Sequence, residues 1–241
     1  MTILVMLDTE TTGLNHKIDD ICQFAAIVTY EGCEDAQIQV ISTLCKPSTP
    51  IPKEVEALHG ISNDMVENSP TSSEVIKEFA EEIYTLAKRE TVVVGGHNVV
   101  FDQRFLMKYS ESLYRADTIC TMRIARRYFE GAQNHKLGYL YRDFAKLHSP
   151  RTSKEHDALS DVWMSYELLR FWMQRDNMTQ SYGELSLLLN TPKNIKTMPF
   201  GKHKGKAMVD LPVSYLQWVV EQPSIDFDVK HTARRLLYGN N

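Results

Sequence analysis

The N-terminal segment constrains the fold more than any other part of the chain. Five consecutive apolar residues, Ile3 to Leu7, are followed by Asp8 and Glu10. An apolar run of this length without polar alternation predicts a strand that is buried on both faces of a sheet. Strand side chains alternate between the faces, so Asp8 and Glu10 are expected on the same face, roughly 7 Å apart. Two carboxylates placed this way repel each other unless a cation lies between them.

The chemistry of the ligands indicates which cation would bind. Carboxylate oxygens are hard ligands that favour Mg²⁺ or Mn²⁺, whereas Zn²⁺ is usually held by His and Cys. Gly13 follows the carboxylate pair, and a glycine there lets the backbone turn and approach a ligand closely. An isolated Asp-x-Glu pattern is also common without any function. A metal site is therefore predicted only if further acidic side chains reach the same place from distant parts of the chain.

Two later clusters supply such side chains. Asp102 follows a predicted strand at Val92–Val94, and ligand sites in layered sheets lie at strand ends. Asp161 lies in the first turn of a predicted helix, and His156 lies in the loop before it. Residues five apart on one helix point about 140° apart, so His156 and Asp161 can share a site only in this loop-and-helix arrangement. Imidazole exchanges protons near neutral pH and is therefore suited to act as a general base beside a metal.

The remaining pattern predicts an α/β layer fold. Strands at Ile18–Tyr30 and Ile38–Leu44 follow the first strand through short turns and indicate an antiparallel meander. A helix over Ser73–Arg89 leads to the strand at Val92–Val94, and a short strand follows at Asp117–Ile119. The order β-β-β-α-β-α-β-α is typical of a mixed sheet with helices on its faces. Further helices are expected at Asp102–Ser110, Thr121–Phe129, Leu137–Leu147 and Asp157–Gln174.

The charge of the chain is unevenly distributed. The 241 residues carry a net charge of −4, which argues mildly against a protein that coats nucleic acid by charge alone. From Thr191 onward, eight Lys/Arg accompany four Asp/Glu, so this part carries +4 and the preceding part −8. A negatively charged N-terminal part would fit a metal site, and a positively charged C-terminal part would fit contacts with phosphates. A protein that binds neither metal nor nucleic acid can show the same uneven charge.

The polar stretch Asp176–Thr179 predicts a domain boundary. We expect a first domain over residues 1–176, a helix and linker over 177–196, and a small basic α+β module over 197–241. Aromatic and basic residues around two glycines of the module suggest a hairpin. Three lysines would alternate along one face of its strand as candidate DNA contacts: Lys202, Lys204 and Lys206.

The sequence predicts a cytoplasmic protein without a membrane anchor. No apolar run approaches the roughly 20 residues of a membrane-spanning helix, and the N-terminus shows no signal-peptide pattern. Four scattered cysteines form no Cys-x-x-Cys pair, so we expect reduced thiols and neither a disulfide framework nor a zinc site: Cys22, Cys33, Cys45 and Cys120.

Taken together, four motifs resemble the DEDDh, or DnaQ-like, 3′→5′ exonuclease family. They are Asp8-x-Glu10-Thr11-Thr12-Gly13-Leu14, Leu58-His59-Gly60-Ile61, His97-Asn98-x-x-Phe101-Asp102 and His156-x-Ala158-x-x-Asp161. The resemblance spans about residues 1–174, with no departure at the five core acid and histidine positions. It implies a ribonuclease H-like fold, with a mixed five-stranded sheet flanked by helices, and a phosphodiester hydrolase that shortens 3′ ends.

The resemblance also implies how the core residues would act. Asp8 would bridge two Mg²⁺ (or Mn²⁺) ions, and Glu10 and Asp161 would complete the site of one of them. Asp102 would hold the other ion. Two such ions, roughly 3.5–4 Å apart, stabilise the attacking water and the leaving 3′ oxygen of an in-line displacement. His156 would accept the proton of that water, and the product would be a nucleoside 5′-monophosphate.

By the same resemblance, a second set of residues would bind the terminal nucleotide. Leu14 and Phe101 would pack against the last bases, although ordinary core packing would equally explain two apolar residues. His59 and Asn98 would contact the nucleotide or its phosphate. The complete predicted set is Thr11, Thr12, Gly13, Leu14, His59, Asn98 and Phe101.

The segments Cys120–Arg127 and Phe200–Lys206 are similar to those of bacterial exodeoxyribonucleases and favour DNA as the substrate. We therefore predict 3′ ends of single-stranded and also double-stranded DNA as substrates, in DNA repair or end processing. One alternative is an exoribonuclease of the same family, since no residue reads the 2′-hydroxyl directly. Another is a nucleic-acid-binding module without activity, which predicts a broken acid set. A phosphatase-like enzyme would need a Gly-rich phosphate loop or a Cys nucleophile, and the sequence shows neither.

Overall fold

The structure is a computed structural model that describes residues 2–32, 38–88, 90–129, 132–152, 156–175, 178–222 and 225–239. The chain forms two compact units, Met1–Leu189 and Asn190–Asn241. Within the described ranges, no helix is both long enough and apolar enough to cross a membrane. Cys22, Cys45 and Cys120 are buried free thiols, as expected, and Cys33 lies outside the described residues.

The first unit contains the predicted mixed sheet of five strands. The strands are β1 (Thr2–Thr11), β2 (Ile21–Tyr30), β3 (Gln39–Leu44), β4 (Thr91–Gly96) and β5 (Asp117–Cys120). They lie in the order β3-β2-β1-β4-β5, with β1 at the centre. The first three strands pair antiparallel, whereas β4 is parallel to both β1 and β5. The α/β fold predicted from the sequence is confirmed.

Helices cover both faces of this sheet. Those of the first unit are α1 (Lys53–His59), α2 (Asn63–Val66), α3 (Ser72–Ala87), α4 (Val100–Leu106), α5 (Glu111–Arg115), α6 (Thr121–Tyr128), α7 (Ala158–Arg175) and α8 (Tyr182–Asn190). Thr71 caps α3 through a complete capping box with Glu74, which explains why the helix begins at Ser72. Asp157 accepts a hydrogen bond from the backbone N of Ser160 (3.2 Å) and caps α7.

The central strand is buried on both sides, as its apolar run predicted. Leu4 and Met6 join the core cluster that contains residues of α6, α7 and α8. Ile3, Val5 and Leu7 join the opposite cluster, with residues of α3, α4 and α5. This period-two alternation decides which face each polar residue at the end of β1 takes.

Glycine is required where β4 ends beside β1. A Cβ atom on Gly95 would lie 2.3 Å from Met6 Sδ, and one on Gly96 would lie 2.7 Å from the carbonyl oxygen of Leu7. Any larger residue would push the two strands apart. The close approach brings the loop that follows β4, and the Asp102 helix α4 beyond it, next to the end of β1.

Two details of the first unit differ from the prediction. The helix expected over Leu137–Leu147 is a six-residue π-helix at Tyr139–Phe144, followed by a 3₁₀ helix at Pro150–Thr152. The compact first unit extends past the boundary expected near residue 176 and includes α8 up to Leu189. Its Leu185 and Leu189 are fully buried in the core cluster of α7, so apolar burial holds it there. Asp176 and Asn177, at the expected boundary, lie outside the described residues.

The second unit is built around two helices, α9 (Val213–Glu221) and α10 (Phe227–Tyr238), with 3₁₀ helices at Gly201–His203 and Met208–Asp210. Its core contains Met198, Met208, Leu211, Leu216, Val219, Val229 and Ala233. The predicted α+β character is wrong for the described part of this unit, whose β-structure consists of one isolated bridge, Thr197 to Ala207. Residues 198–206 form a loop that contains Lys202, Lys204 and Lys206, and we call it the lysine loop. It closes through backbone hydrogen bonds between Met198 and both Gly205 and Lys206 (2.8 Å each), but a 3₁₀ turn replaces the predicted strand.

Candidate active site

The end of β1 points its carboxylates toward α7. Asp8 and Glu10 continue the side of the strand that carries Leu4 and Met6, which packs against α7. Thr9 takes the other side, toward the helix that bears Asp102. Asp8 is half-buried and Glu10 is buried. The alternation of one strand thus directs neighbouring side chains to two different helices.

Three of the predicted core residues meet at one point. Ligand atoms of Glu10, His156 and Asp161 all lie within 4.8 Å of one another, a spacing that could hold a metal ion. Glu10 comes from the central strand, His156 from the loop before α7, and Asp161 from the first turn of α7. The loop-and-helix arrangement that the sequence required for His156 and Asp161 is the one observed.

Asp8 belongs to the same negatively charged cluster. Burial raises the pKa of Asp8 well above its usual value, and the charges of Asp102, Asp161 and Glu10 raise it further. Burial likewise raises the pKa of Asp161 to about 7, with added repulsion from Asp157 and partial relief from a backbone hydrogen bond of His156 and from Arg142. Both shifts have the causes expected of carboxyl groups that are buried close to one another.

Asp102 is held by a residue that the sequence did not single out. Its Oδ1 accepts hydrogen bonds from the backbone N of Thr9 (3.0 Å) and from the Thr9 hydroxyl (2.7 Å). Asp102 is 2% exposed, and burial raises its pKa to about 7 although both Thr9 bonds favour the ionised form. Thr9 therefore fixes the orientation of the Asp102 carboxylate.

Two residues of the predicted motifs have unusual backbone conformations. Asn98 has φ 63° and His156 has φ 56°, both in the left-handed region that residues other than glycine seldom adopt. Both side chains are exposed. Backbone conformations of this kind concentrate at functional sites because the surrounding structure must impose them.

A glutamine on β2 positions the start of α7. Gln23 pairs with Glu10 across β1 and β2. Its amide Nε2 donates to Asp157 Oδ1 (3.1 Å), and its Oε1 accepts from the backbone N of Ala158 (3.2 Å). One side chain thus connects the strand of Glu10 to the helix of Asp161. The sequence analysis missed Gln23, and only its position within an otherwise apolar strand could have signalled it.

The predicted nucleotide-binding stretch forms an ordered turn. The Thr11 hydroxyl donates to the carbonyl of Gly13 (2.7 Å), and the Thr12 hydroxyl accepts from the backbone N of Asp20 (3.0 Å). A Cβ atom on Gly13 would lie 2.4 Å from Oδ2 of Asp19, so a larger residue there would have to displace the Asp19 side chain. Thr11 and Thr12 are only 6% and 2% exposed. The parts of this turn that remain to face a ligand are therefore its backbone and its tip.

The two predicted base contacts differ in exposure. Leu14 is 87% exposed, so core packing does not explain it. Nearby Ile18 is 65% exposed and extends this apolar surface. Phe101 is half-buried, and its ring centroid lies 5.1 Å from that of Phe105. The side chain of Leu14 is thus accessible to a ligand, whereas the ring of Phe101 packs against that of Phe105.

Two histidines of the motifs make polar contacts within the protein, His59 from a buried position and His97 from a half-buried one. His59 is 2% exposed; its Nδ1 accepts from the backbone N of Ile61 (3.0 Å), and its Nε2 lies 3.7 Å from Cys22 Sγ. The structure therefore does not bring His59 to the surface where its nucleotide contact was predicted. His97 Nε2 donates to the His135 carbonyl (2.8 Å), and burial lowers the pKa of His97 to about 4. A neutral His97 anchors the loop before Asn98.

The candidate lysines belong to the second unit. Lys202 lies in the 3₁₀ helix, and Lys204 and Lys206 lie in the turn that follows. All three are exposed. Their expected alternation along one face of a strand is wrong, because the two glycines of this loop adopt positive φ (67° and 82°) and curl the backbone instead of extending it.

The site and fold are those of an exonuclease. The model of the RNase_T family, described as an exonuclease family, matches residues 5–169. The chain belongs to this exonuclease family, whose activity depends on divalent metal ions. A second model, QSregVF_b, named for a quorum-sensing-regulated virulence factor, matches residues 185–224, which is too short a part of the chain to assign a family.

Individual relatives cover most of the chain. Exodeoxyribonuclease 10 of Escherichia coli (strain K12) is 26% identical over 237 residues, which are 95% of this chain and 98% of that protein. The DNA polymerase III subunit epsilon of Aquifex aeolicus (strain VF5) is 30% identical over 168 residues, covering 68% of this chain and 77% of that protein. The solved structure of exonuclease X in complex with 5′ overhanging duplex DNA matches with a TM-score of 0.58 and 26% identity, over 76% of this chain and 99% of that one.

Proposed function

We propose that this protein is a metal-dependent 3′→5′ exodeoxyribonuclease that releases nucleoside 5′-monophosphates from DNA 3′ ends. The observation that carries the proposal is the meeting of Glu10, His156 and Asp161 within 4.8 Å, beside Asp8 and Asp102. An inactive binding module would have no use for this set, because packed carboxylates destabilise a fold that never binds a cation.

The residues fit a pair of divalent ions. Asp8, Glu10, Asp102 and Asp161 would hold them, since carboxylate oxygens suit Mg²⁺ or Mn²⁺ and burial raises the pKa of three of these acids, which a bound cation would offset. When bound, the ions would neutralise the carboxylates and stabilise the negative charge that develops on the scissile phosphate.

The chain's own residues account for the remaining steps. The exposed imidazole of His156 accepts a proton from the water whose oxygen attacks the terminal phosphorus. As the new P–O bond forms, the bond to the 3′ oxygen of the penultimate nucleotide breaks. The leaving strand keeps that oxygen as its new 3′-hydroxyl, and the terminal nucleotide departs with its 5′-phosphate. Thr9 keeps Asp102 oriented throughout, through its two hydrogen bonds.

Binding of the terminal nucleotide is assigned to the turn after β1. The backbone of Thr11–Gly13 would face the nucleotide, and Leu14 would pack against its base. Phe101 and Asn98, at the start of α4, would complete the contact. His59 would act only indirectly, by supporting the end of α1 from its buried position.

DNA is the proposed substrate because the relatives that cover most of the chain are an exodeoxyribonuclease and a DNA polymerase subunit. The solved complex with 5′ overhanging duplex DNA supports a substrate with a recessed or single-stranded end. We propose residues 1–189 as the catalytic domain and the basic second unit as a nucleic-acid-binding module. A role in DNA repair or end processing, within the cytoplasm, agrees with buried cysteines that remain thiols.

Labelled oligomers test the proposal. DNA and RNA strands of one sequence, labelled at either end, are incubated with the protein and Mg²⁺, Mn²⁺ or EDTA. The proposal predicts that the 5′-labelled DNA shortens in single steps, that the 3′ label appears at once as a mononucleotide, and that EDTA or Asp161→Asn abolishes both. Glu111→Gln, at an exposed acid that pairs with Arg115, is the matched control and should be fully active. Faster digestion of RNA, or release from the 5′ end, would contradict the proposal.

A further inference from the structure

The second unit displays three aromatic rings in a row. Tyr215 and Trp218 lie one turn apart on α9, with ring centroids 5.3 Å apart and planes inclined by 28°, which is a stacked arrangement. The His203 ring meets the Tyr215 ring edge-on at 4.4 Å. We refer to His203, Tyr215 and Trp218 as the aromatic row.

The end of this row is open to solvent. Trp218 is 44% exposed, whereas the other two tryptophans of the chain are buried, Trp163 at 7% and Trp172 at 0%. On the same helix, Leu216 and Val219 supply the core of the unit. The fold of the second unit therefore does not require the full burial of the Trp218 indole, and one of its surfaces remains available.

The lysine loop is fixed beside the aromatic row. Gly201 has φ 67°, and its missing Cβ would lie 3.3 Å from the Tyr215 hydroxyl, so the loop passes close to that ring. Lys202 Nζ lies 5.6 Å from the Tyr215 ring centroid, within the range of a cation–π interaction. Backbone hydrogen bonds from Gly205 to Met198 and from Met198 to Lys206 close the loop and hold its shape.

The loop beside the row carries charge of one sign. Three exposed lysines, Lys202, Lys204 and Lys206, lie in the loop, and no acidic residue occurs between Met198 and Val209. The second unit carries +4 in total, although the whole chain carries −4. Aromatic faces next to a cluster of lysines match the bases and phosphates of a nucleic-acid strand, since bases stack on rings and phosphates attract ammonium groups.

We propose that the aromatic row and the three lysines form a binding site for single-stranded DNA. An unpaired base stacks on Trp218, at the open end of the row, and the adjacent phosphates contact the lysines. Paired bases inside a duplex expose no faces, so the site prefers single strands to duplex. The inference rests on the proposed function, because it gives the exonuclease a second hold on the strand that it shortens, in the same polypeptide.

Binding and fluorescence measurements test this site in the full-length chain. A 5′-fluorescein-labelled dT15 is titrated in EDTA, which prevents hydrolysis, and its anisotropy is measured. Stacking is worth about 1–3 kcal/mol per base, so Trp218→Ala should weaken binding roughly 5- to 100-fold. Trp218→Phe keeps a ring and should lose much less. Tyr238→Ala removes another exposed aromatic, 65% exposed on α10, and should bind like the wild type.

Intrinsic tryptophan fluorescence gives a second readout. Because Trp163 and Trp172 are buried, quenching by an unlabelled dT15 reports on Trp218 and should vanish in Trp218→Phe. Equal affinity of Trp218→Ala and the wild type, the absence of quenching, or an equal loss on a blunt 15-base-pair duplex would each overturn the site. Failure of the proposed function would appear separately, as a wild-type protein that binds dT15 with quenching but hydrolyses no DNA when Mg²⁺ is added.

Discussion

Asp102 Oδ1 accepts both the backbone N–H and the hydroxyl of Thr9, at 3.0 and 2.7 Å, which joins α4 to the end of the carboxylate-bearing strand. Thr9→Val keeps the backbone bond and the shape of the side chain but removes the hydroxyl. A hydrogen bond to a charged group contributes about 1.5–3 kcal/mol, so we expect kcat to fall roughly 10- to 100-fold. Steady-state kinetics on a labelled oligonucleotide measure the loss.

Thr9→Ser is the matched variant, because it restores the hydroxyl. It should recover most of the activity that Thr9→Val loses, while both variants unfold at similar temperatures. Equal activity of Thr9→Val and the wild type would show that the orientation of Asp102 does not depend on the hydroxyl.

His156 is predicted to act on the proton of the attacking water. Removal of a general base costs about 10²- to 10⁴-fold in rate, so His156→Ala should lower kcat by at least 10²-fold. Affinity for Mn²⁺, measured by calorimetry, should change by much less, because four carboxylates remain. If the variant loses Mn²⁺ binding along with activity, His156 is instead a metal ligand. Its ring lies close enough for that role, because its ligand atom is within 4.8 Å of those of Glu10 and Asp161.

Stability should depend on pH and metal together. Burial raises the pKa of Asp102 and of Asp161 to about 7, against an ordinary value near 3.8, and the charges of Asp157 and Asp102 contribute to the rise at Asp161. Between pH 4 and 7 the folded protein therefore holds more protons than the unfolded chain, and these acids make the metal-free fold less stable as the pH rises. Divalent ions that replace the protons should stabilise the protein more at pH 8 than at pH 5.

Thermal unfolding in EDTA and in Mg²⁺ at the two pH values measures this linkage. For a protein of this size, 1 kcal/mol corresponds to about 2–4 °C in Tm, so the extra metal-induced rise at pH 8 should amount to several degrees. Asp161→Asn should reduce that rise. A rise of equal size at pH 5 and pH 8 would mean that the ions do not bind at the titrating carboxylates.

Gln23 is expected to affect catalysis only by positioning the start of α7, and with it Asp161. Gln23→Leu removes the hydrogen bonds to Asp157 and to the backbone N of Ala158, which frees the start of α7 from the sheet. We expect kcat to fall about 10-fold, since a small displacement of Asp161 is enough to misplace a reacting group. Gln39→Leu, which removes an exposed glutamine bond to Glu82, is the control and should be fully active.

The turn after β1 should tolerate no side chain at Gly13. A Cβ atom there would lie 2.4 Å from the Asp19 carboxylate, so Gly13→Ala should displace Asp19 and raise KM for DNA about 10-fold, with a smaller effect on kcat. Asp19→Ala removes the obstacle. If the clash is the cause, Gly13→Ala added to Asp19→Ala should cost little, whereas additive losses would show that the turn fails for another reason.

Local patterns predicted the elements that position the site. The apolar run at Ile3–Leu7 predicted a doubly buried central strand, and the alternation of its side chains predicted that Asp8 and Glu10 share a face. The spacing of His156 and Asp161 predicted a loop followed by the first turn of a helix, which is the observed arrangement. These features depend on the alternation of apolar residues and on the separation of two residues along the chain, and both can be read from the sequence.

Features that depend on tertiary contacts escaped prediction. Thr9 and Gln23 act through partners 93 and 134 or 135 residues away, so no local pattern marks them. His59 is part of a recognisable motif but is buried, because its ring packs beside Cys22 and supports Ile61. The lysine loop was expected as a strand, yet two glycines with positive φ curl it around Tyr215.

The central claim is that four carboxylates bind divalent ions at one site: Asp8, Glu10, Asp102 and Asp161. Calorimetric titration of the full-length protein with Mn²⁺ at pH 8 tests it most directly, with Asp8→Asn and the remote variant Glu111→Gln titrated in parallel. We predict two bound Mn²⁺ per chain in the wild type and in Glu111→Gln, and the loss of at least one in Asp8→Asn. Identical Mn²⁺ binding by all three proteins would contradict the account.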